Sequence, residues 1–536
     1  MAGTSSANYA VADKQAVNSK DYAEKLIAGY RKAQGIRQPW ESIFDDCFKY
    51  AMPGRKRFAA QNPAQTDGTT IFDETAVVGV QEFASRLQQG LIPNFSRWAS
   101  FVAGSSVPPE SVKEVDEALD EVTDYVFEVI ADSNFGTEAF ESLLDLSVSC
   151  GALEIFEGDA VKPVCFNAVP LVELCLEDGV DGHIAKIYRD RTYSLEGLQT
   201  KYGTAAKIDA ELTELLQKGP QPFVEIVCRD YMSYNEEAWH KYVVHVASSK
   251  VIWSKYYKGT GSAPIIVFRW SKIAGETWGR GPLFNALPAI KTCNLVVEMI
   301  LENAQMAVAG IWTMDDDGTL NVDNIELVPG TIIPYEQGMT GLRSVTPASK
   351  FDVAQLVLTD MRANIKRALY NEMLGNPEKT PMSATEVAER MADLARSIGS
   401  AFGRLMSEFV TRVLQRVVYI LRKKGLIDMP AVNGKDIQVR AESPLSQAQN
   451  HQDILAVDRL AEFVGQRFGP QLANLFLKGE DIAAYVSKKL NVPEKFVRSQ
   501  AEMQQAVQMM QQYAQSAGAL PGGEGGAPPG AAPAGV

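Results

Sequence analysis

The sequence predicts an α+β protein that is mainly helical. Apolar residues recur at helical spacing over the first 150 residues and again after Gly281, whereas residues 152–260 carry short β-branched runs broken by Gly and Asp. Runs of this second kind are typical of antiparallel strands. The chain has 536 residues, of which 46% are hydrophobic and 22% are charged, so it is long enough and apolar enough for several folded modules.

The first part of the chain reads as four helical stretches. Apolar spacing predicts helices over residues 20–52, 75–90, 110–132 and 137–150, with Pro39 dividing the first stretch into two helices. The aromatic loop from Phe95 to Trp98 is interpreted as packing between helices and sheet, although a ligand pocket is the other interpretation of such a loop.

Strands follow at 164–168, 171–176, 183–188, 223–234, 239–246 and 250–253. The tripeptide Gly259-Thr-Gly261 is interpreted as a hairpin turn, because it lacks the third glycine and the lysine of a phosphate-binding loop. The stretch 275–281, which contains Trp278 and Arg280, is interpreted as the turn that leads into the next helix.

A helix, a compact insert and a second helix come next. The predicted bounds are 283–309 for the first helix, 310–350 for a β-rich insert and 351–375 for the second helix, which stops at Gly375-Asn376-Pro377. A loop over 376–384 leads to the longest predicted helix, 385–428. Ser383 and Glu386 form a capping-box signature at its start, and Gly425 follows a basic last turn.

The remaining segments, 429–515, are predicted to be largely helical. Residues 516–536 are rich in Gly and Pro and predict a disordered tail, because such a composition cannot bury a core.

Charge and cysteine content narrow the functional classes. The chain contains 52 Lys and Arg residues and 66 Asp and Glu residues, which gives a formal net charge of −14. This charge argues against a protein that binds nucleic acid over a broad basic surface. Passing contact with DNA stays open. No cysteines form a C-x-x-C pair, so all are predicted to be reduced, mostly buried side chains: Cys47, Cys150, Cys165, Cys175, Cys228 and Cys293. With no apolar leader and no long apolar span, we expect neither secretion nor membrane insertion.

The search for catalytic motifs is negative: we predict no catalytic residue, no metal site and no cofactor. The sequence contains no phosphate-binding loop, no H-E-x-x-H and no G-x-S-x-G, and it has only four histidines. The run Asp315-Asp316-Asp317 is interpreted as a solvated acidic turn, with a Mg²⁺ site as the alternative. Lys379, the lone cation of its loop, is either a surface lysine or a functional one.

Several short stretches, taken in order, identify a family. Landmarks in the first 200 residues are Pro39-Trp-Glu-Ser42, 47–53 (CFKYAMP), 87–93 (LQQGLIP) with Trp98, Cys150-Gly-Ala152 and Ile187-Tyr-Arg-Asp-Arg191. Later landmarks are Gly275-Glu-Thr-Trp-Gly-Arg280 and Thr385-Glu-Val-Ala-Glu-Arg390. Together with the helix–insert–helix order, they make the chain resemble the portal, or head-to-tail connector, proteins of short-tailed double-stranded DNA phages over about residues 22–513.

The resemblance implies a portal-type architecture of wing, stem, clip and crown, with subunits arranged in a ring that is typically of twelve copies. By position, residues 1–282 and the long helix 385–428 would form the wing, 283–309 and 351–375 the stem, and 429–515 the crown. The insert 310–350 would be the clip and 376–384 the tunnel loop. The protein would be a virion component at one capsid vertex, made in the host cytoplasm.

The resemblance also implies site residues and partners. The DNA-facing residues of the tunnel loop would be Asn376, Glu378, Lys379 and Thr380. The clip residues that dock the motor and then the tail would be Asp315, Asp316, Asp317, Asp323, Glu326, Glu336 and Arg343. The implied partners are further copies of the chain, the terminase large subunit, the tail adaptor or tail tube protein, major capsid and scaffolding proteins, and double-stranded DNA.

Two other functions remain open at this point. One is a head-tail adaptor or scaffold protein that does not form a ring, which the number of subunits would distinguish. The other is a metal-dependent nuclease that uses the insert's carboxylates, for which Asp316→Ala would abolish cleavage of DNA.

Overall fold

The computed structural model describes residues 20–59, 70–94, 96–108, 111–233, 236–309, 311–313, 343–345, 351–371, 398–430, 432–433, 435–443, 454, 456–467, 479–489 and 509. The fold is α+β, as predicted. The helices are α1 Lys20–Ala51, α2 Thr75–Leu91, α3 Val112–Ala131, α4 Phe135–Leu146, α5 Leu195–Tyr202, α6 Ala210–Lys218, α7 Pro282–Ala309, α8 Phe351–Ala368, α9 Gly399–Leu405, α10 Thr411–Lys423 and α11 Gly479–Lys489.

The strands are β1 Ala99–Ala103, β2 Cys150–Glu157, β3 Val164–Ala168, β4 Leu174–Asp178, β5 Ile184–Tyr193, β6 Gln221–Arg229, β7 Ala238–His245, β8 Lys250–Lys258, β9 Ile265–Arg269, β10 Ile311–Thr313, β11 Arg343–Val345 and β12 Ile437–Ala441.

Helix α1 runs through Pro39 without a break, so the prediction of two separate helices is wrong. A proline inside a helix removes one hydrogen bond to the carbonyl four residues earlier, here that of Gly35. Both residues lie on the exposed side of α1, where water can bond the freed carbonyl. Tyr30 and Phe44, on either side of the proline, are both buried, and their packing keeps the helix continuous.

Two antiparallel sheets form the centre of the N-terminal region. One has five strands in the order β4-β5-β6-β7-β8, and the other has three in the order β3-β2-β9. The predicted strands of this region are confirmed, with residues 171–173 forming a 3-10 turn before β4. Strand β9 was not predicted, and therefore the turn at Gly259 and Gly261 joins two sheets and does not close a hairpin. Both glycines have positive φ, 112° and 75°.

A two-stranded sheet ties the C-terminal part of the chain to the N-terminal region. Strand β1 follows directly after the aromatic loop and pairs antiparallel with β12, with Phe101 opposite Val439. Within the range 429–515, which the resemblance assigns to a crown, β12 packs beside β1 in the main core. Trp98 is buried and its ring packs edge-on to that of Phe127, which confirms the packing interpretation of the loop.

Helices α7 and α8 lie against each other and against α1 and α2. We call α7 and α8 the helix pair. By length and composition alone, Pro282–Gln305 is long and apolar enough to cross a membrane, with a mean hydropathy of 1.3 over its best window. A third of that window is buried in the fold, and Lys291 forms an ion pair with Asp46 of α1 at 2.5 Å.

Helix α8 ends at Ala368, earlier than the predicted end at residue 375. Asn371 N–H bonds the carbonyl of Lys366 and Tyr370 N–H bonds that of Arg367, the two bonds of a Schellman cap. Tyr370 takes the left-handed conformation, with φ of 60°, that glycine usually takes at this position. Its ring packs on Trp270, with centroids 5.5 Å apart, and this contact holds the tyrosine in place.

The described part of the long helix, 398–423, is interrupted by five residues of π-helix, Met406–Val410. It ends as predicted: Gly425, with φ of 70°, forms the same Schellman cap, in which Leu426 N–H bonds the carbonyl of Leu421. All six cysteines are free, four of them buried and two half-buried, which confirms the prediction.

Candidate functional site

Most of the predicted site residues lie outside the described residues. These are the tunnel-loop residues Asn376, Glu378, Lys379 and Thr380 and the insert carboxylates Asp315, Asp316, Asp317, Asp323, Glu326 and Glu336. Arg343 is the first residue of β11, and only its backbone is described. The structure describes the elements on either side of the insert and of the tunnel loop.

The insert begins and ends in a short antiparallel ladder. Strands β10 and β11 pair with Trp312 opposite Ser344 and Thr313 opposite Arg343. Helix α7 leads into β10, and β11 is followed by α8. The two ends of the segment 314–342 therefore lie side by side in this ladder.

The segment 70–75 forms hydrogen bonds to both helices of the helix pair. Asn294 of α7 accepts hydrogen bonds from Phe72 N–H at 2.7 Å and Asp73 N–H at 3.3 Å, and its amide donates to the carbonyl of Thr70. Asp73 accepts a hydrogen bond from Arg362 of α8 at 2.8 Å. Burial alone would raise the pKa of Asp73, but hydrogen bonds from Thr75 and Arg362 outweigh it and lower that pKa.

The two ends of the segment 372–397 lie at the same place. Asn371 and Ile398 line one small cavity of about 20 Å³ beside α2. Asn371 is fixed there, because Arg86 of α2 donates to its carbonyl and its own amide donates to the carbonyl of Gly79 at 2.9 Å. The two described ends of this segment are therefore fixed beside the same helix, α2.

The π-helical segment is pinned to β9 by a buried ion pair. Glu408 accepts hydrogen bonds from the backbone N–H of Arg269 at 3.1 Å and from its guanidinium Nη2 at 2.9 Å. Arg269 is almost fully buried and also faces Asp178 at 3.4 Å. About two turns later, buried Arg416 donates to the carbonyls of Ile155 and Ser262. The long helix is thereby fixed to the three-stranded sheet and to the turn that leads into β9.

A buried charge network, which sequence reasoning missed, joins the two large sheets. Lys241 of β7 lies 2.6 Å from Glu154 of β2 and 3.0 Å from Glu225 of β6. Arg189 of β5 bonds Glu154 at 2.8 Å. Lys201 reaches Glu225 at 2.9 Å. The signal in the sequence was a single charge inside an apolar strand, as in the run 223–227 (FVEIV).

The opposite charges in this network keep each other ionised. Burial opposes ionisation of Glu225, but the charges of Lys241, Lys201 and Arg189 outweigh it and hold the pKa of Glu225 well below its usual range. Burial likewise disfavours the charged form of Lys241, but Glu225 and Glu154 raise its pKa. The network is buried and internally paired, which suits a structural role and leaves no group poised for proton transfer.

The helix pair keeps several apolar side chains exposed. Leu295, Met299 and Leu301 of α7 are each about half exposed, and Leu356 and Val357 of α8 are also exposed. Among the described residues, no group of three or more His, Cys, Asp or Glu side chains is placed to hold a metal ion. The described scaffold therefore offers surfaces for contact and no metal-binding chemistry.

The chain matches one family model and several known proteins. Residues 23–497 match the model of the bacteriophage head to tail connecting protein family. A protein of Bordetella phage BPP-1, named "Probable portal protein", is 22% identical over 486 residues, which cover 84% of each chain.

Solved structures of a gene transfer agent particle are also similar to this chain. One chain of the native virion is 12% identical, with a TM-score of 0.35, over 74% of this chain and 86% of that one. One chain of the neck of the empty particle is 12% identical, with a TM-score of 0.34, over 73% of this chain and 88% of that one.

Since the family model spans most of the chain, the resemblance that the sequence predicted is confirmed. The protein belongs to the family of bacteriophage head to tail connecting proteins, a structural family that includes phage portal proteins.

Proposed function

We propose that this protein is the portal of a short-tailed phage: copies of the chain form a ring at one capsid vertex, and the genome is packaged and later ejected through it. The family match over residues 23–497 carries the proposal. The ring would be part of the virion, assembled in the host cytoplasm with major capsid and scaffolding proteins. Twelve copies is the number typical of portal rings.

The exposed apolar surface of the helix pair supports self-association. Side chains such as Leu295 and Met299 cost free energy in water, and contiguous exposed apolar surface usually marks an interaction site. In a ring, the helix pair of one copy would pack against that of the next and remove this surface from water.

The insert would dock the packaging motor and, later, the tail. Its ladder β10/β11 mounts it at the end of the helix pair, away from the main core. The insert residues 310–350 carry six acids against Arg343 and Lys350, and an acidic rim favours basic partners through encounter rate and specificity. The terminase large subunit would bind this rim first and the tail adaptor or tail tube protein would follow.

The charge of the chain suits a conduit for DNA. Each copy has a formal net charge of −14, so a closed ring would carry many times that charge and would repel phosphate. Lys379, one per copy in the tunnel loop together with Asn376, Glu378 and Thr380, would add a sparse ring of positive charge. Weak phosphate contacts there would slow backward movement of DNA without holding it.

The first test is to count subunits. The full chain is expressed alone and examined by native mass spectrometry and negative-stain electron microscopy of the same sample. We expect a closed ring with a central hole and about twelve copies. A stable monomer or dimer, unchanged by salt, concentration or co-expressed scaffolding protein, would instead favour a head-tail adaptor that does not enclose DNA.

The second test concerns the tunnel loop and the insert. Lys379→Glu should lower DNA packaging while rings still form, and Lys379→Arg should retain packaging. Asp316→Ala should leave DNA intact in Mg²⁺, as should the unmodified protein. Mg²⁺-dependent cleavage that this substitution abolishes would establish the nuclease alternative.

A further inference from the structure

A large polar groove lies between α1 and the five-stranded sheet. Its volume is about 1310 Å³, above the roughly 300–1,000 Å³ of small-molecule pockets. One wall is α1, and the opposite wall includes β5 and the start of β6. A groove of this size, open and polar, fits a protein surface better than a small ligand.

The groove concentrates positive charge on an acidic protein. Five basic and three acidic side chains line it, although the chain as a whole has 14 more acidic than basic residues. Two of the acids are already paired, Glu41 with Arg37 and Glu173 with Arg189. The third, Asp190, is largely buried and faces Tyr30, and burial raises its pKa.

The remaining three basic residues have no carboxylate within 4.0 Å among the described residues: Arg31, Lys56 and Arg191. Arg31 is exposed on α1, and Lys56 follows that helix. Arg191, in β5, lies over the ring of Tyr193. Three cations line this groove with one further acid, Asp190, which interacts with the charge of Lys56, so the groove keeps an excess of positive charge that favours an anionic partner.

Helix α3 presents the complementary surface. It contains seven acidic residues and one lysine, and its exposed carboxylates recur every three or four residues, which places them on one face. This acidic stripe comprises Glu114, Glu117, Glu121, Asp124 and Glu128. From first to last it spans about 21 Å at about 1.5 Å per residue.

The stripe lowers the stability of its own helix. Like charges three or four residues apart cost about 0.2–0.5 kcal/mol per pair, and a carboxylate near the C-terminal end of a helix, such as Glu128, opposes the helix dipole. Of the five, Asp124 pairs with Arg97, and Glu117 also has an interaction partner. No residue of α3 lines the groove of the same chain. A second copy can therefore place its stripe against this groove.

We propose that the groove of one copy binds the acidic stripe on α3 of the next copy and that this contact sets subunit order around the ring. The proposal rests on the proposed ring. Two different patches of one chain that bind each other form a head-to-tail interface, and such interfaces generate rings when the rotation closes. The pairing would also hold the outer part of the ring together, apart from the helix pair.

Charge reversal tests this pairing. Variant A carries Arg31→Glu and Arg191→Glu in the groove, and variant B carries Glu114→Lys and Glu121→Lys in the stripe. Each variant alone should lose its rings by at least about tenfold, because like charges then face each other. Matched controls reverse exposed charges elsewhere, Lys207→Glu with Lys258→Glu and Glu196→Lys with Glu214→Lys, and should form rings as the unmodified chain does.

Mixing the two variants separates a lost contact from a lost fold. In an alternating ring every groove meets a stripe of opposite charge, so A and B mixed should recover rings that contain equal numbers of each, read by native mass spectrometry. One chain that carries all four substitutions should also assemble.

The negative outcomes are distinct. Rings from A alone and from B alone would overturn the pairing and leave the portal proposal intact. Loss of rings without recovery in either combination would overturn the pairing too. Intact rings of A that lose binding to double-stranded DNA would assign the groove to DNA instead. An unmodified chain that never forms rings would refute the portal proposal itself.

Discussion

The two sheets and the helix pair differ in the groups that they bury and expose. Between the sheets, even fully buried charges such as Lys241 and Glu225 find partners inside the same chain. On the helix pair, apolar side chains such as Leu295 and Leu356 remain exposed. The difference indicates that the buried charges between the sheets are balanced within one copy, whereas the helix pair leaves apolar surface in contact with water.

The strongest test of this contrast is Lys241→Met. It leaves Glu154 and Glu225 buried without their main counter-charge, which should lower the free energy of unfolding by about 3–5 kcal/mol. Chemical denaturation followed by circular dichroism measures the loss. The matched control is Lys250→Met, since Lys250 also bridges two carboxylates but at the surface, where water screens the charges, and it should change the stability far less. Equal losses in the two variants would show that the network is unimportant.

The next largest loss of stability is expected at the junction between the long helix and β9. Glu408→Gln removes the charged partner of buried Arg269, and we expect a loss of about 1.5–3 kcal/mol in the free energy of unfolding. Ser407→Ala, in the same π-helical segment but exposed, should stay within about 0.5 kcal/mol of the unmodified chain. A Glu408→Gln variant as stable as Ser407→Ala would contradict the role of this pair.

A smaller loss of stability is expected where the segment 70–75 contacts the helix pair, and this loss depends on pH. The pKa of Asp73 is lowered in the folded chain, so its ionised form stabilises the fold above the ordinary pKa, and this contribution is lost as pH falls through the lowered value. Asp73→Asn should therefore destabilise the protein near pH 7, by about 1 kcal/mol, and the difference should shrink as pH falls through the lowered pKa of Asp73. Thermal unfolding at several pH values measures it. A constant difference across this range would exclude the ionised carboxylate as the cause.

The smallest effect on stability is expected at the exposed surface of the helix pair. Leu295→Ser combined with Met299→Ser should change the free energy of unfolding of the dissociated chain by at most about 0.5 kcal/mol. The same change should reduce the yield of rings in native mass spectrometry. Leu283→Ala, at a buried position of α7, is the opposite control and should cost about 2–5 kcal/mol. Unchanged ring formation in the double variant would remove the argument that this surface packs between copies.

The local features of the fold were readable from the sequence. Helix α2 and the strands of the five-stranded sheet follow from periodicity and turn residues, and the glycine cap at Gly425 follows from composition. The features that were missed depend on distant contacts. Tyr370 adopts a glycine-like conformation because Trp270, 100 residues earlier, packs on its ring, and β1 was not predicted because its partner strand is remote.

The candidate site was predictable only in part. The family resemblance predicts a tunnel loop and a clip from order along the chain, whereas the buried network and the basic groove depend on which strands and helices become neighbours. Arg31 and Arg191 are 160 residues apart, and only the packing of α1 on the sheet brings them to one groove. No periodicity in the sequence encodes that proximity.

The pairing of β1 with β12 has a consequence for how the chain is made. Residue 99 leaves the ribosome long before residue 441, and at about 5–20 residues per second the interval is roughly 17–70 seconds. During that time one edge of β1 has no partner strand, and open strand edges can pair with other chains. Many copies are made together in an infected cell, so a chaperone that shields this nascent edge would raise the yield of correctly folded subunits.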